Sequence, residues 1–298
     1  MSKLLPALLF CIGISLHATA QTETEYAMPA VPDSIQDITR RADYATRHFW
    51  DAYPFADTTL VHHKDYAEQA AANFFTLLPY ASDEGQDEAI GRWLEGAAVS
   101  PTAFSHFAGI AEKYLYERES PQHNEALYQR IAERIGSIAG ADEATQSRAH
   151  FLLQQLRRNR PDSIATDFTY ATADGTLHRL SQTAADRPTL LLFYDPDCQQ
   201  CQTLLFRLRH SGIVNQAVSE GRLAVLAVYT EDDEALWQQK RTDLPAAWTA
   251  AIDRSDIRGH ALYDLRQLPT LYLLSPEKRV ILRDATLAQL TNYLLTGM

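Results

Sequence analysis

LLLFYDPDCQQC, at residues 190–201, is the stretch that decides the fold of the second half of this chain. Its first five residues are apolar at consecutive positions, which predicts a strand buried on both faces. A helical pattern follows the cysteines and continues through residues 204–210. Cys198 and Cys201 therefore stand three residues apart at a strand-to-helix junction, where two thiols can close a small disulfide and open it again.

Residues 162–298 alternate short apolar runs with amphipathic ones. Besides residues 189–194, strands are predicted at residues 168–170, 177–180, 222–229, 270–274 and 279–282. Further helices are predicted at residues 234–240 and 286–295. The first two strands are joined through Asp174-Gly175, and Asp-Gly tolerates the positive φ of a tight hairpin. Strands that alternate with helices indicate a three-layer α/β domain, with a central mixed sheet flanked by helices.

Residues 33–160 have a helical pattern throughout. Its helix boundaries are predicted from caps and prolines, as at Ser100-Pro101, where proline suits the first helical position. Helices are predicted to begin near residues 33, 64, 82, 100, 123 and 142. An all-α domain at residues 33–160 therefore precedes the α/β domain at residues 162–298, and a length of 298 residues accommodates both.

Composition and charge limit the possible partners. Hydrophobic residues make up 46% of the chain and charged residues 22%, which is ordinary for globular domains. The formal net charge is −11. This acidic balance argues against nucleic acids and anionic membrane surfaces, so we expect no nucleic-acid partner.

The first twenty residues have the pattern of a secretory signal peptide. Lys3 precedes a short apolar run at residues 4–16, and residues 18–20, Ala-Thr-Ala, match the small-residue cleavage pattern. The apolar run is too short to span a bilayer comfortably. We therefore expect cleavage after Ala20 and export to the periplasm, with residues 21–32 as a short tether.

The chain has three cysteines, and Cys11 lies inside the apolar run of the predicted signal peptide. The bulky Phe10 before it fits bacterial lipoprotein processing poorly, so we expect no lipid anchor. Cleavage after Ala20 would remove Cys11. It would leave Cys198 and Cys201, an even number that fits a disulfide in an exported protein.

The order of elements resembles a known family. A hairpin, a buried strand, Cys-x-x-Cys, a helix, a strand, a helix and a strand opened by Leu268-Pro269-Thr270 are similar to the thioredoxin-like thiol–disulfide oxidoreductases, in their exported branch. This resemblance covers about residues 162–298. Residues 41–57 resemble a domain of unknown function that precedes thioredoxin-like domains in some bacterial exported proteins, which implies an architecture but no activity.

The family resemblance implies a function without a cofactor, in which electrons pass from a membrane or soluble donor to protein disulfides. It implies that Pro269 follows a cis bond and that Leu268 and Pro269 position an extended peptide substrate. Cys198 at a helix N-terminus would meet unpaired N–H groups that favour the thiolate, so we expect it to be the nucleophile. Cys201, one turn further on the same face, would resolve the mixed disulfide.

Four departures from the family pattern lie close to the cysteines or the proline. They are Gln199-Gln200 in place of Gly-Pro, residues 194–197 in place of a Trp-rich approach, Leu192 in place of a buried Asp, and Leu268 in place of a β-branched residue. Asp195 and Asp197 would oppose a nearby thiolate, and residues 189–206 contain no Lys, Arg or His to offset them. We therefore expect a reducing dithiol rather than a strong oxidant.

Metal binding fits the sequence less well than redox exchange. Zinc requires about four ligands and no second cysteine pair exists, so we expect no metal site and place His178, His210 and His260 at the surface or in packing. One alternative stays open. In it the protein is a non-catalytic binding module, the Cys198–Cys201 disulfide is structural, and the helical domain binds a protein partner.

Overall fold

The structure, a computed structural model, describes residues 26–139 and 141–297. It forms two compact units that divide between Thr145 and Gln146. The described part of the first unit is helical, and the second contains a mixed sheet flanked by helices. The predicted fold class, an all-α domain followed by a thioredoxin-like α/β domain, is confirmed.

The predicted signal peptide, residues 1–20, lies outside the described residues, and so do Cys11 and residues 21–25 of the predicted tether. Across the ranges that are described, no helix is both long enough and apolar enough to cross a membrane. Export and the absence of a lipid anchor therefore stay predictions.

Among the described helices of the first unit, all but the one at Lys64–Leu77 begin after a residue whose side chain caps them. The helices are α1 Ile38–Arg47, α2 Thr58–Val61, α3 Lys64–Leu77, α4 Asp83–Ala97, α5 Pro101–Ala111 and α6 Glu125–Ile135. The side chains of Asp37, Asp57, Ser82, Ser100 and Asn124 accept hydrogen bonds from N–H groups in the first turns of α1, α2, α4, α5 and α6. Each cap satisfies a donor that has no partner inside its helix and stabilises the unit by about 1 kcal/mol.

The start of the first helix differs from the pattern-based prediction. The first helix is predicted from residue 33, but α1 begins at Ile38 because Asp37 caps it by accepting a 2.9 Å hydrogen bond from the N–H of Arg40. The predicted start at Ser100-Pro101 agrees with α5, which is continuous with a π-helical turn at Glu112–Tyr116.

Aromatic side chains form the centre of the first unit, as their helical spacing indicates. Trp93 is completely buried. The ring of Trp50 stacks on it with centroids 5.8 Å apart, and the ring of Phe107 meets Trp50 edge-on at 5.3 Å. Phe55 lies against Gly96, where an added Cβ would be 2.7 Å from its ring. Aromatic pairs of this kind contribute about 0.5–1.5 kcal/mol beyond the area they bury.

The second unit contains most of α7, which spans Glu143–Arg157. Its strands are β1 Thr169–Thr172, β2 Leu177–Arg179, β3 Thr189–Tyr194, β4 Ala224–Tyr229, β5 Thr249–Asp253, β6 Thr270–Leu274 and β7 Val280–Arg283. Its remaining helices are α8 Gln199–Arg209, α9 Gly212–Ser219, α10 Glu234–Lys240 and α11 Leu287–Thr296. The predicted bounds of β3, α10 and β6 agree with the structure at both ends, whereas α9 and β5 were not predicted.

The strands form one sheet in the order β2-β1-β5-β4-β3-β6-β7. β3, β4 and β5 run parallel, and β6 pairs antiparallel with β3. In that pairing Phe193, near the end of β3, lies opposite Thr270 at the start of β6. The loop that precedes β6 therefore reaches the turn that follows β3, which is where the cysteines lie.

Both faces of the central strands are buried. In β3, Leu190, Leu192 and Tyr194 pack into one apolar cluster, and Leu191 and Phe193 pack into another on the opposite face. This explains why the run is continuously apolar, since neither face meets water. α8 packs on the first of these faces through Cys201, Leu205 and Leu208, so the helix that carries the cysteines is fixed to the core.

Candidate active site

Cys198 is the N-cap residue of α8 and follows the turn after β3. Its backbone is extended, with φ −79° and ψ 121°, and its Sγ accepts a hydrogen bond from the N–H of Cys201 at 3.4 Å. A sulfur atom thus occupies the position that Ser, Thr, Asp or Asn fills at other helix starts. The side chain is partly exposed. A thiolate here would receive both an N–H donor and the positive end of the helix dipole.

Cys201 lies one helical turn further and is completely buried. The backbone N–H of Asp195 points to its Sγ at 3.5 Å. Burial raises the pKa of the Cys201 thiol to about 12, and although the Asp195 N–H lowers this pKa, Cys198 and the Asp195 charge raise it further. Both thiols are free. The pair therefore consists of one reachable sulfur and one sulfur kept protonated behind it.

Leu268 and Pro269 lie next to Cys198, as the antiparallel pairing of β3 and β6 requires. The Leu268–Pro269 peptide bond is cis, the isomer that the family resemblance implies. The Cys198 thiol donates to the carbonyl oxygen of Leu268 at 3.6 Å. Thr270 holds the same loop by donating its hydroxyl to the carbonyl of Gln267 at 2.7 Å. The loop thus presents backbone to the exposed sulfur.

An ion pair between a buried carboxylate and an exposed arginine lies just before this loop. Asp264 is 5% exposed, and its carboxylate accepts hydrogen bonds from both Nε and Nη2 of Arg266 at 2.9 Å. Two parallel bonds of this kind fix the guanidinium in one plane. Sequence reasoning did not find this pair, because an Asp-x-Arg triplet carries no signal until its carboxylate is known to be buried.

Three of the residues that depart from the family pattern, Asp195, Asp197 and Leu192, lie around the cysteines. Asp195 is half-buried and its Oδ1 accepts the N–H of Asp197 at 2.9 Å, while Asp197 itself is exposed. Leu192 is completely buried in the same apolar cluster as Cys201. A side chain that could take the proton of Cys201 is therefore not supplied by β3 at that position.

The histidines considered as metal ligands lie apart in packing or at the surface. His178 stacks on Tyr170 with ring centroids 5.5 Å apart, His210 packs on Phe206 at 4.2 Å, and His260 is exposed. Among residues 26–139 and 141–297, no three His, Cys, Asp or Glu side chains are grouped so that they could hold a metal ion.

Comparisons with known proteins agree with this architecture. Residues 14–159 match the family described as a domain of unknown function, DUF5106. A solved thioredoxin-like protein from Bacteroides caccae is 31% identical, with 92% of this chain and 99% of that chain covered and a TM-score of 0.74. Because this similarity extends over nearly the whole of both chains, the chain belongs to the thioredoxin-like protein family, with a DUF5106 domain in its helical part.

Two further solved structures are each similar to slightly less than half of this chain. The C-terminal domain of an uncharacterized protein from Bacteroides fragilis is 36% identical, over 46% of this chain and 98% of its own, with a TM-score of 0.45. A thiol-disulfide oxidoreductase from Bacteroides fragilis is 21% identical, over 46% of this chain and 100% of its own, with a TM-score of 0.41. No curated protein matches the chain.

Proposed function

We propose that the protein is an exported thiol–disulfide oxidoreductase that reduces protein disulfides through Cys198 and Cys201. One observation carries the proposal: a partly exposed sulfur caps α8 beside the Leu268 carbonyl, and a buried thiol lies one turn behind it. An exposed sulfur can meet a bulky substrate. A buried one can react only with a partner already bonded to Cys198, which is the task of a resolving thiol.

The reaction balances as a transfer of two electrons and two protons. The Cys198 thiolate attacks one sulfur of the substrate disulfide, forms a mixed disulfide and releases the other sulfur as a thiol. Cys201 then loses its proton and attacks Cys198, which forms the Cys198–Cys201 disulfide and releases the second substrate thiol. A dithiol donor, membrane-bound or soluble, restores the reduced pair by the same exchange in reverse, and Leu268 and Pro269 position the substrate backbone.

Insulin reduction by dithiothreitol tests the activity. We expect the protein without residues 1–20 to accelerate precipitation of the insulin B chain, and we expect Cys198→Ser to abolish that acceleration. The alternative, a binding module with a static disulfide, predicts no acceleration by either protein. Leu177→Ser, which changes an exposed residue of β2, is the matched control for handling and folding.

Trapping tests the order of the two cysteines and identifies substrates. In the exported fraction, Cys201→Ala should accumulate mixed disulfides with substrate proteins, because nothing resolves them. Cys198→Ala should accumulate none. The opposite pattern would reverse the roles. N-terminal sequencing of the trapped protein should begin at Gln21 if the signal peptide is cleaved as we propose.

The direction of electron flow is a separate measurement. The charge of Asp195 contributes to the raised pKa of Cys201, and no basic residue at positions 189–206 offsets it. We therefore propose a reducing potential. Equilibration with glutathione measures it, and a value near that of the most oxidising family members, about −120 mV, contradicts the proposed direction.

A further inference from the structure

A groove with a volume of about 290 Å³ lies along α8. Gln202, Leu205 and Arg209 line it from the helix, at four, seven and eleven residues after Cys198. This spacing places them on the face of the helix that carries Cys198. Tyr194, the last residue of β3, and Pro196 in the turn after it form one wall, and Lys240 at the end of α10 lies in another.

The groove begins close to the exposed sulfur. The backbone N–H of Gln202 donates to the carbonyl of Cys198 at 3.0 Å, and its side-chain Nε2 donates to the carbonyl of Pro196 at 2.8 Å. Gln202 thus connects the turn that holds Cys198 to the groove wall. Arg209, eleven residues after Cys198, lies about 16 Å from Cys198 along the helix axis, at 1.5 Å per residue.

Two cations in the groove lack acidic partners. Among the described residues, neither Arg209 nor Lys240 forms an ion pair. Nη1 of Arg209 donates a hydrogen bond to the backbone carbonyl of Asp243 at 2.8 Å. The Nε of Arg209 is buried and has no hydrogen-bond partner among the described residues. The carboxylate of Asp243, also on the groove wall, is the single negative charge there. The groove is therefore positive by one charge in a chain whose net charge is −11.

We propose that this groove binds an acidic side chain of the disulfide substrate, an inference that rests on the proposed function. An extended peptide advances about 3.3 Å per residue, so about five residues span the distance from Cys198 to Arg209. Leu205 and Leu244 line the intervening part with apolar surface. The preferred substrate carries Glu or Asp about five residues from the attacked cysteine, with an apolar residue between them.

Two peptides test the preference. Each has one cysteine as a mixed disulfide with thionitrobenzoate, and they differ only in Glu or Gln at the fifth residue from it. Attack by reduced Cys198 on the peptide sulfur releases coloured thionitrobenzoate. We expect the Glu peptide to react about three- to tenfold faster, the range for one or two partly exposed ion pairs. Added salt should reduce the ratio.

Charge variants localise the effect. Arg209→Gln and Lys240→Gln together should bring the Glu-to-Gln rate ratio close to one, and Lys240→Gln alone should lower it. Among the described residues the Lys240 ammonium forms no hydrogen bond or ion pair, so that variant removes a charge without removing either kind of interaction. Arg207→Gln is the control, because this exposed arginine of α8 does not line the groove.

Each outcome has one meaning. Equal rates for the two peptides, or a preference that persists in the double variant, overturn the acidic-substrate inference and leave the proposed function intact. Loss of the preference in Arg207→Gln would move the site to another face of α8 and also overturn it. If neither peptide releases thionitrobenzoate, the dithiol exchange itself is refuted and this inference falls with it.

Discussion

Resolution of the mixed disulfide by Cys201 should depend steeply on pH well into the alkaline range. The thiol of Cys201 is completely buried, and its pKa is raised to about 12. Once a substrate is bonded to Cys198, the second step requires the thiolate of Cys201. β3 has Leu192 at the position where thioredoxins carry a buried Asp, and Leu192 cannot accept the proton of Cys201. The fraction of Cys201 that is ionised therefore depends on pH.

The expected magnitude follows from the fraction ionised. With a pKa of about 12 the thiolate is roughly one part in 100,000 at pH 7, and its fraction increases tenfold with each pH unit up to about pH 11. Between pH 8.5 and pH 10 the rate should rise about 30-fold, whereas an ordinary cysteine with a pKa of about 8.5 would give only about twofold.

Stopped-flow absorbance separates the two steps. An excess of the reduced protein reacts with dithionitrobenzoate, so that attack by Cys198 releases the first thionitrobenzoate and attack by Cys201 releases the second. The rate of the second phase is followed from pH 7 to about pH 10, within the range where the thiolate fraction still rises. The Cys201→Ala variant should release one equivalent only, which assigns the second phase.

A plateau in the rate of the second phase would contradict the predicted control of this step by the burial of Cys201. If the second rate levels off near pH 9, Cys201 ionises like an exposed thiol, and its burial does not control the reaction. If the first phase shows the steep slope instead, the sulfur that attacks first is the buried one, and the assignment of roles is wrong.

Three further predictions concern stability, measured by urea unfolding. Between pH 7 and pH 10 the free energy of unfolding of the reduced protein should fall by about 2 kcal/mol more than that of Cys201→Ala. The reason is that the Cys201 thiol ionises above about pH 8.5 in the unfolded chain but stays protonated in the folded protein. Equal losses in the two proteins would refute this. Gly96→Ala should cost about 1–3 kcal/mol through its clash with Phe55, whereas Gly109→Ala, with open space around it, should stabilise by about 0.5–1 kcal/mol. Asp43→Ala should cost about 1–3 kcal/mol, because its carboxylate accepts both the N–H and the hydroxyl of Ser82, at 2.8 and 3.0 Å; no change would show that water replaces it.

Local patterns predicted the elements that bury strong apolar faces. β3 has the predicted bounds because all six of its side chains are buried, so the apolar run has no interruptions. α10 follows Asp233, whose side chain caps it, and β6 follows Pro269 directly. Where burial, a helix cap or a proline marks the same boundary as the apolar pattern, the sequence is sufficient to predict the bounds of the element.

Two elements escaped prediction for related reasons. β5, Thr-Ala-Ala-Ile-Asp, is only five residues long, and its two alanines are weak strand formers, so its local pattern does not indicate a strand. α9 begins at Gly212, only three residues after α8 ends, so its pattern merges with that of the preceding helix. Tertiary placement, rather than local preference, determines both elements.

The candidate site was predictable in its residues but only partly in its contacts. Cys198 and Cys201 follow from their spacing, and Pro269 follows from a family resemblance, because no local rule joins residues so distant in the chain. The backbone carbonyl of Leu268 and the N–H of Asp195 both contact sulfur, but every residue has these groups and sequence cannot single them out. The α8 groove depends on Lys240, whose proximity requires the folded sheet.

The sulfur of Cys198 links helix stability to electron affinity. In the dithiol form this atom accepts the N–H of Cys201, so the start of α8 is satisfied by the redox centre itself. A cap that is stronger in the dithiol than in the disulfide form stabilises the reduced protein, which makes the couple more oxidising. If that difference is about 1 kcal/mol, the potential rises by roughly 20 mV. Changes in the first turn of α8 would therefore tune the electron-transfer equilibrium without touching either cysteine.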